Sequence, residues 1–320
     1  MELTTLTKPD LALMPSLLRI GDKVRFVSPA STPDREIVLQ GAKVLESWGL
    51  KVDFGEHAFR KTAYLAGTDE ERLADFNTAL RDPSVRAIIT TRGGKGSYRI
   101  ADRLDFAAAR NDPKFLVGFS DITVLHLSLW KHCRLIGVHG SLMPDGQNGE
   151  TLRRLLMTSQ GICIHSRANE QTSALNTEGT AKGRLIGGNL ETISAAAGWS
   201  LPSLTGTILL LEAANMFAGQ IDRQLTMLRK AGHLTGLVGI AVGQFTDCFK
   251  PIDGFTVVDL LRDHLEQLKV PILGGLPLGH GHQPQSTLVG AMAFLDATAG
   301  TLSISKQQMT SPGKPEGSFY

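Results

Sequence analysis

The sequence predicts an α/β protein with two domains. The first is expected to hold a mostly parallel sheet with helices on both faces, because short apolar runs alternate with helical patterns from residue 22 onward. The second is expected to be smaller, mixed and β-rich, because the last part of the chain is rich in glycine and short apolar runs. A polar stretch at 166–182 is the expected linker, which places the two domains at 1–165 and 183–320.

Each element of the first half has its own signal in the sequence. Strands are predicted where apolar residues run together, at 23–27, 50–54, 85–90 and 114–118. A helix is expected to begin with Pro33 as its first residue and to stop at Gly49. A second helix is expected after Thr68, because Glu71 stands three residues later and completes a capping box.

The second half mixes both kinds of pattern. Strands are predicted at 207–211 and 237–245, where apolar residues are continuous. Between them, Ile221, Leu225 and Leu228 recur at helical spacing and predict an amphipathic helix.

The composition excludes several classes of protein. The formal net charge is +2 and no basic block occurs, so neither nucleic acid nor an anionic membrane is an expected partner. No apolar run reaches the ~18 residues of a membrane span, and residues 1–8 lack the pattern of a signal peptide. The three widely spaced cysteines are typical of buried thiols in a reducing cytosol. We therefore expect a cytoplasmic protein without a structural zinc site.

Ser120 directly follows the apolar run that ends at Gly118, and a helical pattern begins after it. A serine on a sharp turn between a buried strand and a helix is the arrangement of a nucleophile elbow. There the free N–H groups and the helix dipole can stabilise an oxyanion. The usual elbow has glycine two residues after the serine, where this chain has Ile122. A Ser/Asp helix cap is therefore the alternative interpretation.

The third predicted strand ends in a glycine-rich loop at 92–97, with the sequence RGGKGS. Open parallel sheets bind ligands beyond the carboxyl ends of their strands, so this loop and Ser120 are expected to be neighbours. The loop does not match a phosphate-binding P-loop, because a glycine separates Lys95 from Ser97. A loop that needs positive φ angles and an anion site built from backbone N–H groups are the two remaining interpretations.

Glu212 ends the apolar run at 207–211, and His280 lies in a loop rich in glycine and proline. A carboxylate at a strand end is often only a surface residue. His280 and His282 could be two metal ligands, but no third ligand is indicated. The order Ser120, Glu212, His280 places an acid and then a histidine after the serine, as in other elbow hydrolases.

Several short motifs follow one another in a fixed order from about residue 15 to 305. They are GD at 21–22, VSPA at 27–30, RGGKGS at 92–97, GFSDIT at 118–123, GGNL at 187–190, LE at 211–212 with IDR at 221–223, and GH at 279–280 before Gly290. Together they resemble the LD-carboxypeptidase family of serine peptidases, which includes murein tetrapeptide carboxypeptidases and microcin C immunity peptidases. The resemblance implies a Ser-His-Glu triad of Ser120, His280 and Glu212, and a homodimer. No metal or other cofactor is expected.

Four positions depart from the family pattern. Ala213 stands where an acidic residue often follows the triad glutamate, and Lys95 stands where an aromatic residue is common. Ser141 and Leu288 each replace a proline. These departures concern the substrate pocket and leave the three triad positions intact.

The predicted reaction is acyl transfer to water, with Ser120 as nucleophile. The backbone N–H groups of Gly94 and Asp121 are the candidate oxyanion hole. A substrate cleaved next to its terminal carboxylate needs a cation, for which the candidates are Arg92, Lys95 and Arg223, with Arg92 preferred because its planar fork matches a carboxylate.

The preferred substrate is a small peptide, the murein tetrapeptide, which would lose its terminal D-alanine. The alternative within the class is a peptidyl-nucleotide amide of the microcin type. A non-catalytic muropeptide-binding protein is a third hypothesis, disfavoured by the intact Ser, Glu and His. A nucleotide-binding protein that uses the glycine-rich loop is the fourth.

Overall fold

The computed structural model describes residues 11–142 and 149–306. Residues 1–8, which carry the expectation of no signal peptide, lie outside the described residues. The strands are β1 (Lys23–Val27), β2 (Lys51–Phe54), β3 (Val85–Thr90), β4 (Phe115–Gly118), β5 (Gly137–His139), β6 (Ile162–His165), β7 (Thr180–Asn189), β8 (Thr207–Ala214), β9 (Gly239–Thr246), β10 (Ile272–Leu273), β11 (Thr287–Val289), β12 (Met292–Asp296) and β13 (Thr301–Ile304). The helices are α1 (Arg35–Ser47), α2 (Asp69–Arg81), α3 (Phe106–Asn111), α4 (Thr123–Cys133), α5 (Gly149–Met157), α6 (Leu190–Ala196), α7 (Ala218–Lys230) and α8 (Val257–Leu265).

The first sheet has the strand order β11-β5-β4-β3-β1-β2. Its five strands from the first half are all parallel, and β11 pairs antiparallel with β5 at one edge. Because β1, β3 and β4 are neighbours, the loops that follow β3 and β4 leave the same edge of the sheet. This arrangement brings the glycine-rich loop beside Ser120, as the sequence predicted.

The second sheet has the order β10-β9-β8-β7-β12-β13-β6. Strands β10, β9, β8 and β7 are parallel, whereas β12, β13 and β6 pair antiparallel. The predicted architecture of a mostly parallel sheet followed by a mixed one is confirmed. Two strands cross the expected division of the chain, since β6 joins the second sheet and β11 joins the first.

The helix starts show how local sequence fixes the ends of elements. The capping box predicted at Thr68 and Glu71 is present, with the Thr68 side chain and the Glu71 carboxylate each accepting from the other's backbone N–H. The first helix begins two residues later than predicted. Asp34 is its N-cap and accepts from the backbone N–H groups of Glu36 and Ile37, so Pro33 lies before the helix.

The polar stretch at 166–182 packs against the second sheet. A 3-10 turn covers Gln171–Leu175, and β7 begins at Thr180. Buried Thr172 donates its hydroxyl to the Gly243 carbonyl at 3.0 Å and accepts from the Gly275 N–H at 3.0 Å. Part of the polarity of this segment therefore serves to satisfy backbone groups of the second sheet.

Within the described part of the chain, no helix is both long and apolar enough to cross a membrane. The three cysteines are free thiols, of which Cys133 is buried, Cys248 half-buried and Cys163 exposed. Burial raises the pKa of the Cys133 thiol to about 11, which keeps that thiol protonated.

Candidate active site

A cavity of about 710 Å³ lies where the carboxyl ends of parallel strands from both sheets converge. From the first sheet it is lined by residues 91–95, which follow β3, and residues 119–121, which follow β4. From the second half of the chain it is lined by residues after β7, by the end of β8 and by His280, which lies in the loop between β10 and β11. Small-molecule sites in α/β proteins commonly occupy this position.

Ser120 enters this cavity from a sharp turn. Its backbone has φ +64°, a left-handed conformation that costs a residue other than glycine about 1–3 kcal/mol. Ser120–Ile122 form a single 3-10 turn between β4 and α4. The strand–turn–helix geometry predicted for a nucleophile elbow is therefore present.

The packing around Gly118 explains why this elbow has Ile122 where glycine is usual. A Cβ atom at Gly118 would lie 2.7 Å from Ile122 Cγ2 and 2.5 Å from Thr90 Oγ1. The fully buried Ile122 side chain thus fills the space that the missing side chain of Gly118 leaves open. In this chain Gly118, two residues before the serine, is the glycine that allows Ile122 to pack closely against the end of β4.

The glycine-rich loop packs directly against the elbow. A Cβ atom at Gly93 would lie 2.9 Å from Ser120 Cβ and 3.2 Å from the Asp121 backbone nitrogen. Gly94 has φ +102°, and a side chain there would overlap Ser31. Only glycine permits this approach, so the loop's glycines have a structural cause at the site.

The Asp121 side chain fixes the far end of the same loop. Its carboxylate accepts from the Ser97 N–H at 2.8 Å and from the Ser97 hydroxyl at 2.8 Å, and its carbonyl also lies 2.6 Å from that hydroxyl. Burial raises the pKa of the Asp121 carboxyl, while the hydrogen bonds from Ser97 oppose that change. The residue after the candidate nucleophile therefore holds the candidate oxyanion loop in place.

Glu212 is fully buried, although the end of its apolar run suggested a surface position. Strand β8 continues through it to Ala214, and the register between β8 and β9 shifts between Leu211 and Ala213. Bulges of this kind re-aim side chains near active sites. One carboxylate oxygen, Oε2, lies 2.7 Å from Nδ1 of His280.

The His280 ring lies between the buried carboxylate and the cavity. Because an ionised carboxylate only accepts, Nδ1 carries the proton of this hydrogen bond and leaves Nε2 as the basic nitrogen. The Phe119 ring packs against the imidazole with 4.7 Å between ring centroids. Among the described residues Ser120 Oγ has no hydrogen-bond partner, but Ser120 and His280 line the same cavity. Catalytic hydrogen bonds are often loose in unliganded enzymes.

The three candidate cations occupy different positions. Arg92 and Lys95 both line the cavity, whereas Arg223 lies on the exposed surface of α7 and does not line it. Arg92 donates to the Thr32 carbonyl at 3.3 Å and has no carboxylate partner among the described residues. Lys95 forms an ion pair with Glu191 at the start of α6.

Two further histidines are buried near the site, His126 in α4 and His139 at the end of β5. His126 donates from Nε2 to the Gly118 carbonyl at 3.0 Å, and burial lowers its pKa to about 4. Burial lowers the pKa of His139 to about 3, and neither of its ring nitrogens has a partner among the described residues. Both are therefore neutral near pH 7 and differ from His280, which has a carboxylate partner.

The sequence offers His280 and His282 as two candidate metal ligands. His280 binds Glu212, and the carbonyl of His282 accepts from Gln244 at 3.1 Å. Over residues 11–142 and 149–306, no group of three or more His, Cys, Asp or Glu side chains is arranged to hold a metal ion.

Two family models match the chain, one in each half. The family model for the LD-carboxypeptidase N-terminal domain matches residues 24–140, and the model for the LD-carboxypeptidase C-terminal domain matches residues 182–295. The chain belongs to the LD-carboxypeptidase family. It is accordingly a peptidase.

Relatives within the LD-carboxypeptidase family match almost end to end. A Bacillus subtilis protein named as a probable murein peptide carboxypeptidase is 33% identical over 90% of this chain and 92% of its own length. The microcin C7 self-immunity protein MccF of Escherichia coli is 25% identical over 93% of this chain and 97% of its own length. The crystal structure of muramoyltetrapeptide carboxypeptidase from Oxalobacter formigenes superposes with a TM-score of 0.78 at 25% identity, covering 88% of this chain and 98% of that one.

Some residues of the site were not singled out from the sequence. The sequence predicts a role only for the backbone N–H of Asp121, and the bonds that its side chain accepts from Ser97 were not foreseen. Glu191 and Thr192 also line the cavity, and only the preceding GGNL motif pointed to this segment. Pairing across two sheets leaves no local pattern, so no sequence signal could have found the contact of Lys95 with Glu191.

Proposed function

We propose that this chain is a serine-type LD-carboxypeptidase that releases the terminal D-alanine of murein tetrapeptide. The observation that carries the proposal is the meeting of Ser120 and His280 at one cavity. Ser120 lies on a strained elbow after β4, and His280, in the loop between β10 and β11, is hydrogen-bonded to Glu212 of β8. The names of the murein peptide relatives support the substrate. All three triad residues are present, which supports hydrolysis over simple binding.

In this mechanism Ser120 Oγ attacks the carbonyl carbon of the amide that joins the last two residues. His280 Nε2 takes the hydroxyl proton as the carbon–oxygen bond forms, and Glu212 stabilises the resulting imidazolium through Nδ1. The carbon–nitrogen bond then breaks and the leaving amine receives that proton. A water molecule attacks the acyl-enzyme in the same way, giving up its proton to His280, and Ser120 recovers a proton from His280 as it leaves.

The oxyanion formed in each tetrahedral intermediate needs donors beside Ser120. The backbone N–H groups of Gly94 and Asp121 are the candidates for this role, because Asp121 follows the serine and Gly94 follows Gly93, the residue through which the loop packs against the elbow. The bonds between Asp121 and Ser97 hold the loop before substrate arrives. Such preorganisation is the usual source of oxyanion stabilisation, and loss of one donor costs about 3 kcal/mol.

The free carboxylate of the substrate is assigned to Arg92. This guanidinium lines the cavity and has no acidic partner among the described residues, so it can bind a carboxylate in a bidentate manner. Lys95 also lines the cavity, but its compact ammonium cannot bind a carboxylate in a bidentate manner, and Arg223 lies away from the cavity. Arg92 therefore stays the preferred candidate of the three.

A peptidyl-nucleotide amide is the second candidate substrate. The likeness to MccF, named as a microcin C7 self-immunity protein, favours it, and the same three residues would perform the same acyl transfer. We further propose, from the family resemblance, that the protein is a cytoplasmic homodimer. Sedimentation analysis of the purified full chain measures the oligomeric state.

The test is D-alanine release from L-Ala-γ-D-Glu-meso-diaminopimelate-D-Ala in the presence of a metal chelator. Wild type and the control Ser47→Ala, a serine on the exposed side of α1, are expected to release D-alanine, whereas Ser120→Ala is expected to release none. Release by Ser120→Ala at the wild-type rate would refute the serine mechanism. No release by folded wild type, combined with cleavage of a peptidyl-nucleotide amide, would replace the first substrate by the second.

A further inference from the structure

The ion pair between Lys95 and Glu191 spans the cavity between the two sheets. Lys95 belongs to the loop after β3 of the first sheet, and Glu191 lies in the first turn of α6 after β7 of the second. Both side chains line the cavity, and both stay about half exposed, at 52% and 46%. The site therefore presents one positive and one negative group side by side, within reach of a bound molecule.

This pair lies close to the reacting atoms. Lys95 directly follows Gly94, a candidate oxyanion donor, and Thr192 beside Glu191 donates its hydroxyl to the Ser120 carbonyl at 3.5 Å. The Asp121 carboxyl responds to both charges: burial is the main cause of its raised pKa, Lys95 lowers that pKa and Glu191 raises it. A substrate side chain next to the scissile bond would thus meet both charged groups.

The pair can be exchanged for substrate at little cost. Ion pairs at half-exposed positions contribute only about 0.2–1 kcal/mol to stability, whereas a hydrogen bond to a charged partner contributes about 1.5–3 kcal/mol. A substrate group that carries both an ammonium and a carboxylate can replace each half of the pair with a partner of the right sign. A group with one charge satisfies one residue and leaves the other unpaired within the site.

We propose that Lys95 and Glu191 select a zwitterionic side chain on the residue before the scissile bond, with Glu191 binding its ammonium and Lys95 its carboxylate. The inference rests on the proposed function and names the feature of the substrate that this chain reads. The side chain of meso-diaminopimelate has this chemistry, and that of lysine has the ammonium alone.

The two cations of the loop then have separate tasks. Arg92 and Lys95 are separated by Gly93, which approaches the elbow, and Gly94, which packs against Ser31. Arg92 contacts the Thr32 carbonyl on its own side of the loop, whereas Lys95 reaches the second sheet. This separation suits a substrate whose terminal carboxylate and charged side chain lie on opposite sides of the scissile amide.

The experiment compares kcat/KM for three tetrapeptides that differ only in the third residue: meso-diaminopimelate, its side-chain carboxamide, and L-lysine. Wild type is expected to prefer diaminopimelate over both others by at least about tenfold, equivalent to about 1.4 kcal/mol. Lys95→Met is expected to lower kcat/KM for the diaminopimelate peptide about 10- to 100-fold. The ratio of kcat/KM between the diaminopimelate and lysine peptides is then expected to be near one. Glu191→Gln is expected to lower kcat/KM for all three substrates, since all carry the ammonium. Part of the preference for diaminopimelate over lysine is expected to remain.

Matched controls are Lys43→Met and Glu46→Gln, exposed positions on α1 outside the cavity lining, which are expected to match wild type. Equal kcat/KM for the three peptides in wild type, or equal loss on all three in Lys95→Met, would overturn this inference while D-alanine release still upheld the proposed function. No release from any of the three by folded wild type would overturn the proposed function and this inference with it.

Discussion

The two sheets hold their parts of the candidate site by different physical means. The first sheet uses backbone: a left-handed serine at 120, a positive φ at Gly94, and glycines that let the loop and the elbow touch. The second sheet and the loop after β10 use side chains: a carboxylate buried at a strand irregularity and an imidazole hydrogen-bonded to it. Neither half is sufficient alone for the proposed chemistry.

This difference follows from what each half must supply. A nucleophile and its oxyanion donors must be fixed within a few tenths of an ångström, which local backbone geometry does well. A proton carrier needs one ring orientation and one tautomer, which a buried carboxylate partner enforces. Substitutions in the first half should therefore act through backbone position, and those in the second through protonation state.

The largest effect is expected for Glu212→Gln. The amide can donate its N–H to His280 Nδ1, which would then place the proton on Nε2 and remove the base. We expect kcat to fall about 10³- to 10⁴-fold with an unchanged fold, measured as D-alanine release and thermal unfolding. Glu178→Gln, an exposed position, is the control. A kcat within tenfold of wild type would show that Glu212 does not govern the tautomer.

The next effect tests the backbone half through Gly94→Ala. The new side chain would overlap Ser31 and demand a left-handed alanine, so the loop and its candidate oxyanion donor must move. We expect kcat to fall about 10²- to 10³-fold. Gly232→Ala is a matched control, because Gly232 also has a positive φ, +77°, with open space around it. Equal effects of the two variants on kcat would remove Gly94 from the oxyanion hole.

A smaller effect is expected for Arg92→Leu, because Arg92 is assigned to binding the substrate carboxylate and not to a chemical step. Loss of a charge-assisted hydrogen bond should raise KM about 10- to 100-fold and change kcat little. Arg223→Leu, on the exposed surface of α7, should behave as wild type. If Arg223→Leu raised KM and Arg92→Leu did not, the assignment of the substrate carboxylate would be reversed.

The smallest effect concerns the buried histidines of the first half, which contrast with His280. His126 and His139 have pKa values lowered to about 4 and about 3, so between pH 6.5 and 4 the unfolded chain binds protons that the folded chain does not. Stability is therefore full above pH 6.5 and falls as the pH drops, by about 1.4 kcal/mol per pH unit for each histidine. Urea unfolding at pH 7.5, 6.5, 5.5 and 5.0 measures this slope.

His139→Gln is expected to reduce that slope by about 1.4 kcal/mol per pH unit, since one histidine that burial keeps neutral is removed. A slope equal to that of wild type would mean that His139 is not kept neutral by burial.

Much of the fold was predictable because the signals are local. Apolar runs located β1 to β4, and the capping box at Thr68 located α2. The start of α1 was predicted two residues early, because Pro33 and Asp34 both suit a helix start and the Asp34 side-chain bonds decided between them. The partners of β6 and β11 were not predictable, since pairing across long stretches of chain leaves no periodic pattern.

The candidate site was predictable only in part, for the same reason. The strand before Ser120 and the glycine-rich loop after β3 indicated the backbone half from local sequence. Glu212 was identified as a candidate, but its complete burial depends on β9 and on the close approach of Gly279. The bonds between Asp121 and Ser97 depend on the spatial meeting of two loops, which composition and spacing do not encode.

The most direct test of the proposed triad is the rate of labelling by a serine-directed fluorophosphonate, with the modified residue located by peptide mapping. The reagent needs the nucleophile from the first sheet and the base from the second, and it is independent of the natural substrate. We predict rapid modification of wild type at Ser120, none in Ser120→Ala, and labelling slowed at least about 10²-fold in His280→Ala. Labelling at another serine, or labelling of Ser120 at the wild-type rate without His280, would contradict the account.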